Sequence, residues 1–423
     1  MLAERIDYSF VADVTSPRAP LAAIKPVAQV TDAANGLTLE LYDRMAPLEA
    51  EWRALNQDSL NSPHHFYDWC KAWFDTNPHP LAIVICRQNG RVQFILPLEV
   101  VKCRGVRVAQ FMAGEFSNMN TGLIASAFRN KGVIRDAQAF EASLTQVFSG
   151  TADLVALRDM RLCWRGACTP LEALSAVENR NLTFQLPLLG TMEATIAQVN
   201  AKRRRKKYRN QLRRFESMGG YDHVVASTPE ERAEILDTFF RQKAVRFEAL
   251  GLPDAFLETK TKAFFHALAQ ADHEGRQSPL RLHALRLKGE HDGHICAVAG
   301  LTLNGDHVIC QFGSIDETHV PDASPGEFLF WLMIEQCALE GYATFDFGIG
   351  DQPYKRGWCP VITPQRDILL PVSVAGRAAR LMELVRIQAR AFIKRHRSLY
   401  TLAQRLRVMR QKSAAASTAT EED

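Results

Sequence analysis

No stretch of this 423-residue chain approaches the run of about 18 apolar residues that crosses a bilayer. The opening "MLAERIDYSFVADVTSPRAP" also lacks a basic segment leading into an apolar one, as a secretory leader requires. These absences lead to the expectation of a soluble, cytoplasmic protein. Cysteine is sparse and unorganised: nine residues, at 70, 86, 103, 163, 168, 296, 310, 337 and 359, form no C-x-x-C pair and no zinc-type spacing. They are expected to be reduced and mostly buried. No G-x-S-x-G elbow is present, which speaks against a nucleophilic serine. The "DFG" at 346–348 has no H-R-D loop or leading Gly-rich loop beside it, which excludes kinase chemistry, and "GIG" at 348–350 is too short for a dinucleotide fingerprint. His291 and His294 flank a turn with no third ligand in sight, so no metal is expected.

A hydrophobic content of 47% suffices for one large core or two or three domain-sized ones. The net charge of +4 hides a segregation. "KRRRKKYRNQLRR" (202–214) carries nine basic residues and no acid, and 377–412 carries eleven Lys and Arg against Glu383 alone. Such elements suit phosphates on a nucleotide, a nucleic acid or an anionic membrane surface, and equally suit a solvated helix face. In the second of them Leu381, Leu384, Val385, Ala389, Phe392 and Ile393 recur at three- and four-residue steps, the pattern of a basic amphipathic helix that is either docked or membrane-bound.

Residues 1–35 read as a loose lead-in, 36–190 as a first mixed α/β lobe, 191–372 as a second, 373–412 as a basic helical segment and 413–423 as a tail. In the first lobe the strand "LTLELYD" precedes two helices, and Gln88-Asn89-Gly90 joins two apolar runs as a hairpin. The second lobe reads as the basic helix, a strand at "YDHVVAS", helices near 229–249 and 254–271, strands near 280–288, 294–303 and 306–313, a helix over 326–340, and a final strand "ATFDFG". A strand, crossover helix and parallel strand form a right-handed unit whose ligands gather at the carboxyl ends of the strands. The helix of that unit starts at Ser324-Pro325-Gly326, where unbonded N–H groups and the dipole would meet an anion. "FDFGIGDQPYKRGW" (345–358) ends the next strand.

With "KRRRKKYRNQLRR", "FFRQKAVRFEALG" and "SPGEFL", that last segment makes residues 200–360 resemble the acetyltransferase domain of CelD/BcsL-type proteins linked to cellulose biosynthesis. These form a branch of the GNAT superfamily, related in fold to Fem-type peptidyltransferases. "SPHHFYDWCKAWF" and "FILPLEVV" make the first lobe similar to a degenerate GNAT-like half. The resemblance implies a mixed α/β fold of tandem GNAT-like lobes. It implies an acyltransferase that moves an acyl group, acetyl foremost, from acyl-coenzyme A to an amine or hydroxyl of a sugar or envelope or exopolysaccharide precursor, without a metal. It maps Ser324, Pro325, Gly326 and Glu327 to the pyrophosphate site, although the usual GNAT loop Gln/Arg-x-x-Gly-x-Gly/Ala is lacking. Fem-type relatives use aminoacyl-tRNA, and their Asp-Phe-Gly and aromatic-Lys elements match Asp346, Phe347, Gly348, Tyr354 and Lys355. Lys355 would stabilise an oxyanion or a phosphate and Tyr354 would protonate the leaving thiolate. Asp346 or Asp351 would take the acceptor's proton, unless Asp346 is a structural carboxylate fixing the turn. Arg246 and Trp358 are placed on the substrate side, Trp358 by packing. The alternatives are a Fem-like aminoacyl-tRNA-dependent ligase, the one case in which nucleic acid is a partner, and a non-catalytic assembly factor for polysaccharide synthesis. An anionic membrane surface, met through 377–412 at its inner face, is the remaining expected partner.

Overall fold

A computed structural model describes residues 25–56, 58–129, 132–271 and 279–395. The first part of the chain forms β1 (Ala28–Asp32), β2 (Leu37–Tyr42), α1 (Glu49–Leu55), α2 (Tyr67–Thr76), β3 (Ile83–Gln88), β4 (Arg91–Leu96), β5 (Leu98–Cys103), β6 (Val106–Phe111) and β7 (Leu123–Ile124). It continues with α3 (Ala137–Val147), β8 (Leu154–Met160), the small hairpin β9 (Cys163–Trp164) and β10 (Ala167–Cys168), and the long β11 (Ala176–Pro187). The second part runs α4 (Met192–Ala197), α5 (Ala201–Ser217), β12 (Tyr221–Val225), α6 (Pro229–Leu250), α7 (Thr259–Gln270), β13 (Arg281–Leu287), β14 (Ile295–Asn304) and β15 (His307–Ile315). It ends with α8 (Pro325–Leu339), β16 (Thr344–Ile349), α9 (Pro353–Trp358), β17 (Val361–Pro371) and α10 (Val374–Arg395).

Local chemistry sets several of these boundaries. Asn89 and Gly90 both take positive φ, 51° and 77°, as a two-residue hairpin turn needs. Thr228 and Glu231 close a capping box on α6 with Pro229 at its first position, and Gly251 ends that helix in the left-handed conformation. Pro97 separates β4 from β5, and with no N–H to give to a ladder it marks where the chain leaves one sheet for the other.

Among the described residues one sheet has the order β1-β2-β3-β4-β7, and a ten-stranded sheet has the order β12-β13-β14-β15-β16-β11-β17-β8-β6-β5. The larger sheet contains the same step twice. β6 and β8 pair in parallel over three positions with α3 between them in sequence, and β15 and β16 do so with α8 between them. Two further features were not expected. β17 follows the strand read as final, and β11, from before residue 190, lies between β16 and β17 and pairs with both. The sequence boundary at 190/191 therefore divides elements that the sheet joins.

Aromatic side chains fill the space between the lobes: Trp69 and Trp73 of α2 meet Phe264 of α7 at ring distances of 5.3 and 5.2 Å. On the opposite side of the second lobe Phe328, Trp331, Phe345 and Phe347 share another core. Two expectations change. Residues 28–32, counted with the lead-in, are a strand because Val30 and its neighbours pair in register with β2; residues 1–24 and the tail at 413–423 lie outside the described residues. Cys163 and Cys168, expected to be reduced, are joined as a disulfide across the β9–β10 hairpin, which places them opposite one another. No helix among the described residues is long and apolar enough to cross a membrane.

Candidate active site

β15 and β16 pair at His307 with Thr344, Val308 with Phe345 and Ile309 with Asp346, and beyond that they part. Past the last pair β15 bulges: Gly300 of β14 faces Phe312 while Leu301 faces Cys310, leaving Gln311 as the extra residue. The gap holds a cleft of about 580 Å³, walled by the carboxyl half of β15, the first turns of α8, Tyr354 and Lys355 of α9, and Lys243 and Arg246 of α6.

One end of the cleft is the start of α8. Ser324 sits in the left-handed region at φ 51°, its side chain does not cap the helix, and the Gly326 N–H has no hydrogen-bond partner among the described residues. A Cβ on Gly326 would lie 2.8 Å from Ile315 Cγ2, so glycine permits the close approach of α8 to β15. Ser324, Gly326 and Glu327 line the cleft; Pro325 is buried and starts the helix without lining it. The Glu327 carboxylate accepts from Arg204 at 2.5 Å and from Lys207, so it ties α5 to the mouth of the cleft. Gln211 of α5 adds hydrogen bonds to the Ala323 and Ser324 carbonyls at 3.2 and 3.1 Å.

At the other end Lys355 is 5% exposed. Its Nζ donates to the Ile349 carbonyl at 2.6 Å and the Gly348 carbonyl at 3.4 Å, and burial lowers the ammonium pKa. Tyr354 stacks on Phe330 at 5.4 Å, and burial raises its phenol. Cys310 faces the same space, but burial pushes its thiol up to about 12, far from a thiolate nucleophile. Arg246 also lines the cleft.

Three of the expected residues are not among those that line the cleft. Asp346 is fully buried outside the cleft lining, with Arg161 Nη1 at 2.8 Å, Gln185 Nε2 at 3.2 Å, His307 Nε2 at 3.4 Å and the Gly348 N–H at 2.8 Å on its carboxylate. Burial alone would raise its pKa, yet Arg161, His307 and the Gly348 N–H outweigh burial and hold it well below the usual carboxylate range. Arg161, Gln185 and His307 meet Oδ2 and the Gly348 N–H meets Oδ1, an arrangement that suits a structural carboxylate at the strand end. Asp351 is exposed and chelated by Arg356 at 2.5 and 2.6 Å, away from the cleft lining. Trp358 is buried beneath the Arg204 guanidinium at 4.0 Å and touches no part of the cleft.

The lining residues that sequence reading missed include Asn118, Lys243, Gln311 and Glu317. Asn118 comes from the first lobe, where its Nδ2 donates to the Gln311 carbonyl at 3.0 Å and its Oδ1 accepts the Ile349 N–H at 3.3 Å. His64 Nε2 reaches Gln311 Oε1 at 2.6 Å. A Cβ on Gly348, which has φ 67°, would meet Asn118 Oδ1 at 2.7 Å, so the glycine of "DFG" makes room for the other lobe. Glu317 lines this cleft and also an adjoining one of about 700 Å³, and among the described residues its carboxylate has no hydrogen bond or ion pair. One group has metal-compatible spacing among the described residues, Cys163, Cys168 and Glu172, and its two sulfurs are bonded to each other.

The buried histidines give a pH prediction. Burial holds His64 to about 4, His65 to about 3, His223 to about 4, and His283 well below its usual value. Below about 6.5 the unfolded chain takes up protons that the folded one refuses, so stability falls with pH down to about 4. Burial raises Glu99 to about 7, and the sign is opposite: its contribution is lost as pH rises from about 4.5 through 7. Burial also raises Glu115, Glu335 and Asp367, but by less than it shifts the four histidines, which therefore set the sign. The melting temperature should therefore drop steadily between pH 6.5 and 4, and a flat profile there would contradict the neutral buried histidines.

Residues 202–356 match the family model described as an acetyltransferase (GNAT) domain. Among solved structures the chain is similar to FemX, with 13% identity, 76% of this chain and 96% of that one covered, and a TM-score of 0.54. It is also similar to L-PGS from Bacillus licheniformis (11% identity, 77% and 98% covered, TM-score 0.46) and to a tandem GNAT protein from the clavulanic acid biosynthesis pathway (12%, 80% and 99%, 0.43). No curated protein matches the chain. The mixed α/β fold with a GNAT domain, expected from sequence, is the fold observed, and FemX shares it.

Proposed function

We propose, from the acetyltransferase domain matched over 202–356, that this chain moves an acyl group, acetyl foremost, from acyl-coenzyme A to an amine or hydroxyl of a sugar or envelope precursor, in the manner of the CelD/BcsL type. The observation that carries this reading is the cleft where β15 and β16 part, with an uncapped helix start at one end and a buried lysine at the other. The donor's pyrophosphate lies at the Gly326 N–H, where the dipole of α8 favours negative charge. Its thioester carbonyl then points toward Lys355 and Tyr354, and the acceptor reaches it from the side of Glu317. Lys355 stabilises the oxyanion, Tyr354 protonates the departing thiolate, and Glu317 takes the acceptor's proton. With Asp346 and Asp351 both ion-paired, Glu317 is the lining carboxylate free for that role.

Calorimetric titration with acetyl-coenzyme A tests the donor assignment. Gly326→Leu, and Gly326→Ala as the smaller change, should weaken binding by about tenfold or more, because a Cβ there forces α8 and Ile315 apart and fills the anion site. An unchanged dissociation constant in folded variants removes this site from the donor.

A second reading, aminoacyl-tRNA as donor, draws on α5. Lys202, Arg203, Arg205, Lys206, Arg209, Arg213 and Arg214 are exposed along the helix whose Arg204 and Lys207 reach the cleft mouth. Salt-sensitive binding of charged tRNA with no binding of acetyl-coenzyme A would establish it in place of the first.

A further inference from the structure

α10 is docked by one side. Ile387 is buried, and Ala379 and Leu384 pack with it against Val108, Leu154, Ala156 and Leu369 of the ten-stranded sheet. Glu383, the acid of the segment, is turned to the same side, 3.5 Å from Arg158 of β8. The residues read as a single apolar face therefore divide. Leu384 goes to the sheet, whereas Leu381 and Val385 point away from it with Val374 and Met382, at 64, 57, 73 and 57% exposure. Ala378 and Ala389 are exposed along the same three- and four-residue steps, so the outward side carries a second apolar stripe over about four turns. The side chains of Phe392 and Ile393 lie outside those described.

Charge indicates what covers this stripe. Arg377 and Arg386 are exposed beside it, and the sequence that follows, 390–412, adds eight Lys and Arg and no acid. A second copy of the chain would set two strongly cationic helices against one another. A nucleic acid would match the charge but offers nothing to an exposed row of Leu, Met and Val. A phospholipid leaflet with anionic headgroups supplies both phosphates for the arginines and acyl depth for the apolar row.

We propose that α10 is a two-sided helix. Ile387 and Leu384 hold it to the sheet, and Val374, Leu381, Met382 and Val385 enter the headgroup layer of an anionic membrane surface. The transferase sits on that surface, and no helix among the described residues is long and apolar enough to cross it. The inference is independent of the donor and acceptor assigned above.

Flotation of the full chain with phosphatidylglycerol-containing or pure phosphatidylcholine vesicles, at low and high salt, tests it. Recovery with the anionic vesicles at low salt is expected, with weaker recovery on neutral vesicles. The triple variant Leu381→Ser, Met382→Ser, Val385→Ser should lower partition on the order of tenfold or more, while circular dichroism and acetyl-coenzyme A affinity stay unchanged. Failure of the wild type to float with anionic vesicles at low salt overturns the proposal. So does equal flotation of the triple variant, which would assign the effect to charge alone, or a wild-type dimer that the triple variant makes monomeric, which would assign the stripe to a second copy. Because affinity for acetyl-coenzyme A is measured separately, a failure here is distinct from a failure of the donor site.

Discussion

Asp346→Asn should cost about 3–5 kcal/mol of folding stability, read as a large fall in the denaturation midpoint. The variant keeps the shape of the side chain and removes its charge. Arg161 then remains at 0% exposure with no carboxylate in reach, and its Nε and Nη2 already have no hydrogen-bond partner. Replacing both partners with apolar residues, Arg161→Met with Asp346→Leu, should recover part of the loss, since it removes the stranded charge. A folded Asp346→Asn protein with an unchanged midpoint would show that the pair is not what holds the end of β16. A normal midpoint with abolished transfer would return Asp346 to catalysis.

Lys355→Met is expected to lower turnover by about 10²-fold, the common effect of losing one preorganised group at a developing oxyanion. Thiol release from acetyl-coenzyme A, with aminosugars as acceptors, provides the readout. The lysine also holds the Gly348 and Ile349 carbonyls, so a melting curve must accompany the assay to separate lost charge from lost structure. Glu317→Gln supplies the contrast. It should reduce turnover without changing donor affinity or stability, because its carboxylate supports no other group among the described residues. Turnover within about threefold of wild type for Lys355→Met would reassign that residue to the strand end.

The second lobe was largely legible because its signals are local. "SPGEFLFWLMIEQCALEG" starts with proline at the first helical position and stops at glycine, and the helix observed is Pro325–Leu339. The strands anticipated near 280–288, 294–303 and 306–313 are Arg281–Leu287, Ile295–Asn304 and His307–Ile315. The helical turn Pro353–Trp358 is too short to show a period, so the sequence gives no sign of it. The site was less legible. Gly326 and Lys355 announce themselves through a helix start and a strand end, whereas Asp346 looks the same in sequence whether it faces a cleft or a buried guanidinium. What decides is Arg161, 185 positions away, and no pattern in a window of a dozen residues contains it. Asn118 and Gln311 were missed for the same reason, since their contact spans 193 positions.

β11 also constrains how the molecule comes into being during synthesis. Its two neighbours, β16 and β17, leave the ribosome well over a hundred residues after it, since β11 ends at Pro187 and β16 starts at Thr344, and until then this strand has both edges open. The nascent first half cannot reach its final form by itself, and an expressed fragment ending near residue 190 would present a bare strand to any other chain it met. Completion awaits a late, long-range insertion of the kind that makes folding slow. A chaperone that shields one extended segment until β16 and β17 arrive would thus act on this protein at a definable place.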